Sequence, residues 1–371
     1  MKKAFVLLTS VILLTTLSFA MTGCTGGNKF MQTLNNYTEK AEQISTSFDG
    51  IEIVSDTADL TFVPANECKI EYTTHKRITY STTVENGVLK IKIKDSRHWF
   101  EKIFSFGGKS TLTVYLPAGE YSSLTVNQAT GDINVPAGYT FGNVDISLST
   151  GDTSFCASTN EALKIHSSTG DIALENVSCG SLDTKVTTGK TRLSHVSVMG
   201  DATVKASTGD TELNNVMFVN LSTVARTGDL TATGLNGGSL SIERSTGKVS
   251  LRDVICGDMT VAISSGKVAL TDVSCTSFTS TGNTGDIEMT SLIASAKIDI
   301  ERSTGDVDFS GCDAEEIYVT TGTGSVHGTL LTNKIFQVRT SSGKIDVPEF
   351  WEGGKCKITT TTGSVKISIG Q

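Results

Sequence analysis

The sequence predicts an all-β chain wound as a right-handed parallel β-solenoid, or β-helix, and three observations carry that prediction. Thirteen Thr-Gly or Ser-Gly dipeptides fall at near-constant spacing, with their glycines at 131, 151, 170, 189, 209, 228, 247, 266, 285, 305, 324, 343 and 363. The twelve intervals between them are eight of 19 residues and four of 20. Apolar residues also return at fixed offsets from each glycine. Finally, aromatics make up only 6% of 371 residues while Gly reaches 36, a balance that suits tightly turned strands better than helical bundles. A fixed period of this size marks one supersecondary unit stacked on copies of itself.

Residues 1–23 read as an export signal. Lys2 and Lys3 form a charged start, Ala4 to Ala20 is largely apolar, and Met21-Thr22-Gly23 places small residues before Cys24. This resembles a bacterial lipoprotein signal, which implies a lipid (palmitate among its acyl chains) on Cys24 and residence on the extracytoplasmic face of the cell membrane. Met21 stands where such signals usually carry Leu. The stretch 24–47 is polar and weakly periodic, and it reads as a lipidated tether.

Residues 48–128 are β-rich, with Ile51-Glu52-Ile53, Leu60-Thr61-Phe62-Val63 and Leu112-Thr113-Val114 alternating in period two. An end rung exposes unpaired backbone and core, so this segment is expected to be an N-terminal cap, with a hairpin turning at Glu85-Asn86-Gly87. Within it, Trp99, Phe100, Phe104 and Phe106 lie between Arg97 and Lys109. They are expected to plug the open core or to contact a membrane or protein partner. Trp351 is expected to cover the core at the far end.

Residues 129–371 are the repeats. Counting from each turn glycine, +2 and +4 are apolar, +7 is Val or Leu, and a second apolar pair follows at +12 and +14, as in Leu240 and Ile242. Each rung is therefore two short alternating strands. Where the rung has 20 residues, the extra one falls in the connection between them. The glycine spares each corner the strain a side chain would meet at positive φ. Thr or Ser before it forms a hydroxyl ladder, expected to bond within itself or to the turn. An ice- or sugar-binding hydroxyl array needs a second row, which Ala129, Arg226, Asn283 and Gly322 interrupt. Position +1 is Asp in seven rungs, including Asp132, Asp152 and Asp171, and is expected to cap the turn. Calcium between these carboxylates is the competing reading, but Lys190, Lys248, Lys267 and Lys344 occupy the same column. Cys256 and Cys275 fall on neighbouring rungs, and their parallel side chains favour small buried hydrophobes over a disulfide.

The formal charge is −8, and removing Lys2 and Lys3 leaves 29 − 39 = −10 from Cys24 onward. Such an exterior repels nucleic acid and anionic bilayers. No cofactor or metal site is predicted. With the cap and rungs read, the chain resembles a bacterial family of adhesin-like β-repeat proteins of unknown function. The resemblance rests on Ile51-Glu52-Ile53, Asp59-Leu60-Thr61-Phe62, Gly87-Val88-Leu89-Lys90-Ile91, Val114-Tyr115-Leu116-Pro117 and the Ser/Thr-Gly-Asp rungs. It implies an exported right-handed β-solenoid and supplies no catalytic motif.

The function expected is a non-enzymatic, lipid-anchored surface protein, adhesin or scaffold, contacting a cell-surface glycan or protein. Two alternatives stand beside it. One is an envelope-stress or signalling lipoprotein docking a membrane protein. The other is a polysaccharide-active enzyme, whose best candidate cluster is Lys164, His166, Asp183 and Lys185; smaller outward sets are Asp299 with Glu301 and Gln337 with Arg339.

Overall fold

The computed structural model describes residues 38–97 and 110–370, and among them no helix occurs. The strands build one continuous sheet system stacked rung upon rung. The N-terminal strands are β1 (Thr38–Gln43), β2 (Gly50–Thr57), β3 (Asp59–Ala65), β4 (Lys69–Thr74), β5 (Ile78–Glu85), β6 (Val88–Asp95), β7 (Thr111–Pro117) and β8 (Gly119–Thr130). From β8 onward parallel pairing puts like on like: Val144 on Leu163, Leu240 on Met259, Thr227 on Thr246. Consecutive Ser/Thr-Gly corners form a single file. The protein is a parallel β-solenoid, and at ~4.8 Å per rung it is a rod of roughly 60 Å.

Alternation decides what lies inside. Positions +2 and +4 and the second apolar pair are buried from Ile133 and Val135 to Ile317 and Val319, and +7 is buried from Val177 to Cys312. The extra residue of a 20-residue rung sits in the connection, where pairing shifts register between Ala294 and Lys297.

The corner glycines are demanded twice over. Twelve of the thirteen have φ between +116° and +157°, a region no side chain tolerates well. A Cβ on Gly266 would also lie 1.8 Å from the carbonyl oxygen of Gly247, and on Gly170 it would lie 1.9 Å from that of Gly151. Each glycine thus makes room for the glycine beneath it. The Asp at +1 caps the corner of the next rung rather than its own: Asp132 Oδ1 accepts from Asp152 N–H (3.0 Å), and Asp152 Oδ1 from Asp171 N–H (2.7 Å). The opposite corner, at +6, is left-handed too. Asn176, His195, Asn215, Asp253, Asp272 and Ser291 have φ of 52–56°, and Gly234 and Gly311 serve the same place.

At both ends the order of rungs departs from the order of the chain. β2 lies between β6 and β8, and β3 pairs with both β7 and the strand Ile133–Val135. The first rung is therefore the second layer. At the other end, the strand Gly354–Thr362 inserts between Val307–Thr323 and Lys334–Ser342, leaving Lys334–Ser342 outermost. The ruler of glycines implies a simple stack, but backbone pairing puts Gly363 on Gly324 and Gly343 on Gly363. A first or last rung tucked one layer inward is hydrogen-bonded on both sides, whereas an outermost one would fray.

Parallel stacking thus begins at β2, inside the stretch read from sequence as cap. The cap proper is antiparallel: β5 on β6, β4 on β7, and β1 on β4. The β5–β6 hairpin turns at Asn86 (φ 54°) and Gly87 (φ 76°), as the sequence indicates. The stretch 38–43, read from sequence as tether, is the strand β1: its backbone completes the cap despite its six exposed side chains. Trp351 does not cover the far end, for its side chain is 91% exposed.

Candidate lateral groove and end face

The residues just before each corner shape the most site-like surface of the rod. Counting back from the glycine, −3 points inward, while −4, −2 and −1 face outward. The chain bends here, so the −4 and −2 columns flank a shallow groove running along the rod. One stretch, of about 400 Å³, crosses four rungs between Val224 and Asn283. A second, of about 270 Å³, lies between Asn127 and Thr187. Beside the groove, positions −2 and −1 form two exposed columns rich in hydroxyls: Ser149 and Thr150, Ser168 and Thr169, Thr187 and Thr188, Ser207 and Thr208, Ser245 and Thr246.

In the first and last rungs the −3 side chain serves the turn, whereas in the five rungs just named it is Leu148, Ser167, Val186, Ala206 or Arg244 and makes no such bond. Thr321 Oγ1 donates to Gly305 O (3.2 Å), Thr360 Oγ1 to Gly324 O (3.0 Å), and Gln128 Nε2 to Gly131 O (2.7 Å). At these end rungs the −3 side chain makes the turn bond that the sequence suggested for the Thr at −1. Two arginines share the −3 column. Arg302 donates to Ser280 Oγ (2.8 Å) and Glu301 O (3.1 Å), its guanidinium lying over Gly282. Arg244 is 3% exposed, and none of its three guanidinium nitrogens has a hydrogen-bond partner. Burial pushes it down to about 10, against the pull of Asp210 and Asp229.

The four residues of the cluster singled out from sequence are cross-strand neighbours, and two of them, His166 and Lys185, line the second groove stretch. Lys164 pairs across strands with Asp183, and His166 with Lys185. Its contacts are cross-strand ion pairs, His166 Nε2 to Asp183 Oδ2 at 3.1 Å and Lys164 Nζ to Asp145 Oδ2 at 3.1 Å. All four are partly exposed, so water screens them and each pair contributes little. Asp299 and Glu301 lie on one strand and do not act together: Asp299 pairs with Lys297 (2.7 Å). Gln337 and Arg339 both lie on the outermost strand, Lys334–Ser342. Among the described residues no group of three His, Cys, Asp or Glu side chains could hold a metal ion. In the Asp column one carboxylate oxygen is already committed to backbone.

The seven cysteines of the described residues are free thiols. Burial raises Cys179, Cys275 and Cys356 to about 12, and Cys68 and Cys256 to about 11. All but the partly exposed Cys156 fill core positions as small hydrophobes. Cys24, Trp99, Phe100, Phe104 and Phe106 lie outside the described residues.

Sequence reasoning missed the outermost face. There Ile335 and Ile345 are 41% and 50% exposed, and the side chains from Ile335 to Trp351 line a recess of about 640 Å³. The signal was present in the Ile/Phe/Val spacing of 335–347, but chain order assigned it to the interior.

No curated protein matches the chain. Among solved structures, it is similar to a candidate adhesin from Bacteroides fragilis at 11% identity, covering 90% of this chain and 98% of that one with a TM-score of 0.28. It is also similar to a candidate cell adhesion protein from Clostridium sporogenes (8% identity, 90% and 100% coverage, TM-score 0.23). A candidate lipid binding protein from Parabacteroides distasonis aligns at 14% identity, 90% and 97% coverage and a TM-score of 0.20. The family model described as Toastrack DUF4097 matches residues 48–215, 199–310 and 239–371, an unbroken cover from the first rung onward, and the chain belongs to that family.

Proposed function

We propose that the protein is a non-enzymatic binding rod, anchored through lipid on Cys24 to the extracytoplasmic face of the cell membrane, that holds an extended glycan of a cell surface or matrix along its groove. The observation that carries this reading is the pair of exposed hydroxyl columns running beside the groove, interrupted at −2 by Ala129, Arg226, Asn283 and Gly322. A single hydroxyl contact contributes about 1 kcal/mol net. Repeated at each rung against a repeating polymer, such contacts add without any one strong site. An acidic body favours neutral or cationic glycans over anionic ones.

The test uses the full chain on immobilised cell-wall and matrix polysaccharides. Retention should weaken at least ~10-fold in the double variant Ser168→Glu, Ser264→Glu, since both side chains are exposed and outside the core. Binding by no polymer, or equal binding by the variant, would sink the reading. The anchor is tested separately: Cys24→Ala should release the protein from the membrane fraction, and mass spectrometry of the mature chain should find acyl groups on Cys24.

A further inference from the structure

We infer that the C-terminal end face is a self-association surface, on which a second copy of this chain docks tail to tail across a two-fold axis.

The face is a rung with nothing on its outer side. Lys334–Ser342 pairs only with Gly354–Thr362, and Ile345–Asp346 only with Val365–Ile369, so among the described residues both leave one edge of backbone N–H and C=O groups unpaired. Everywhere inside the rod the matching core positions are sealed: Ile317, Val319, Cys356 and Ile358 are at most 1% exposed. Phe336, Val338 and Val347 of the end rung are only half-buried, and Ile335, Ile345 and Trp351 are exposed. The opposite end is closed by the antiparallel strands β1, β4 and β5. A long, regular edge beside open apolar side chains is a template for another strand.

None of the described residues covers it, and Arg97 and Ser110, which flank residues 98–109, both lie in the cap at the far end. On the lipid-anchored reading, the fourteen residues 24–37 span at most ~50 Å from β1 and end in the membrane.

A second copy fits by charge and by symmetry. Arg339 and Lys344 lie toward one end of the edge strand. Glu352 lies toward the other, since the adjoining Gly353 packs against Asn333, and Glu349 belongs to the same loop. Lys334, at the Glu352 end, is spent on Asp313 (2.6 Å) and Asp346 on Lys366 (3.7 Å), so antiparallel pairing of Lys334–Ser342 with itself sets Arg339 and Lys344 of one copy toward Glu352 of the other. Such pairing is isologous and closes at two copies. An end face covers on the order of 300–500 Å² per copy, at or below the small end of specific interfaces. Association should be weak in solution, in the micromolar-to-millimolar range, and strengthened where many copies share a surface. On the display reading above, it joins rods standing on two apposed surfaces.

The experiment is sedimentation velocity of the full chain in non-ionic detergent from ~10 µM to ~1 mM, with particle lengths from negative-stain electron microscopy. Wild type should shift toward a dimer about twice the length of one rod. Trp351→Ser with Ile345→Lys, both exposed side chains, should stay monomeric with an unchanged melting temperature. Met199→Lys, on a lateral face and 73% exposed, should dimerise as wild type does. A monomer over the whole range, side-by-side dimers of single-rod length, filaments growing with concentration, or dimers indifferent to the end-face variant would each overturn the inference. Glycan retention by a strictly monomeric chain would refute the dimer and spare the binding rod. End-to-end dimers that bind no glycan would do the reverse.

Discussion

At the scale of single residues, the corners and the inner column beside them govern stability. Gly266→Ala forces a Cβ into the carbonyl oxygen of Gly247, 1.8 Å away, at φ +147°. It should cost roughly 3 kcal/mol or more in denaturant unfolding. Gly119→Ala meets nothing within 4 Å at φ +152° and should cost only its backbone strain, about 1–2 kcal/mol. Equal losses would show that φ alone, not glycine-on-glycine stacking, fixes the column. Arg244→Met removes a buried charge with no hydrogen-bond partner and keeps its length, so the variant should be about 1–3 kcal/mol more stable. A loss of stability would mean that the attraction of Asp210 and Asp229 outweighs desolvation. The turn glycines were legible in the sequence because their identity is invariant along the chain. The +6 corner was not, because Asn, Asp, His, Ser and Gly all reach positive φ there and share no single letter.

At the scale of elements, a tandem repeat suggests that removing the last rung costs one interface. The observed pairing says otherwise. A chain ending at residue 353 loses the inserted strands Gly354–Thr362 and Val365–Ile369, so Lys334–Ser342 loses its one neighbour and Val307–Thr323 its cover. A chain ending at residue 332 loses both rungs together and keeps every remaining strand paired on its inner side. By hydrogen exchange and light scattering, the chain ending at residue 353 should be the less protected and more aggregation-prone of the two. The reverse ranking would argue for stacking in chain order. Strand positions and rung count were readable from period two and period 19. Rung order was not, because parallel neighbours one or two repeats apart present the same apolar pattern and only backbone pairing distinguishes them.

At the scale of the whole molecule, buried thiols from Cys68 to Cys356 are spread along the rod and make its stability depend on alkali. Burial raises five of them from 9.0 in an ordinary environment to about 11 or 12. Above about pH 9 the unfolded chain releases these protons while the folded one holds them, so the unfolded state binds fewer and stability falls as pH rises. The melting temperature should be insensitive to these groups below pH 9 and fall steeply between pH 9 and 12. A Cys179→Ala, Cys275→Ala variant should show a shallower fall; an unchanged slope would exclude the thiols as its source. The all-β rod was legible from spacing alone, and so was the grouping of Lys164, His166, Asp183 and Lys185. The hydroxyl-lined groove was only partly so: its columns are visible in the letters, but the bend between −4 and −2 that makes them concave is a property of the stacked backbone.

The inward tuck of the first and last rungs also bears on how such a rod changes length over generations. A new repeat added next to either rung in the chain would have to wedge itself between two layers already bonded to one another. Duplication of an internal segment adds a rung without disturbing either extremity. Lineages of this architecture are therefore expected to lengthen from the middle, with the extremities inherited as matched bookends.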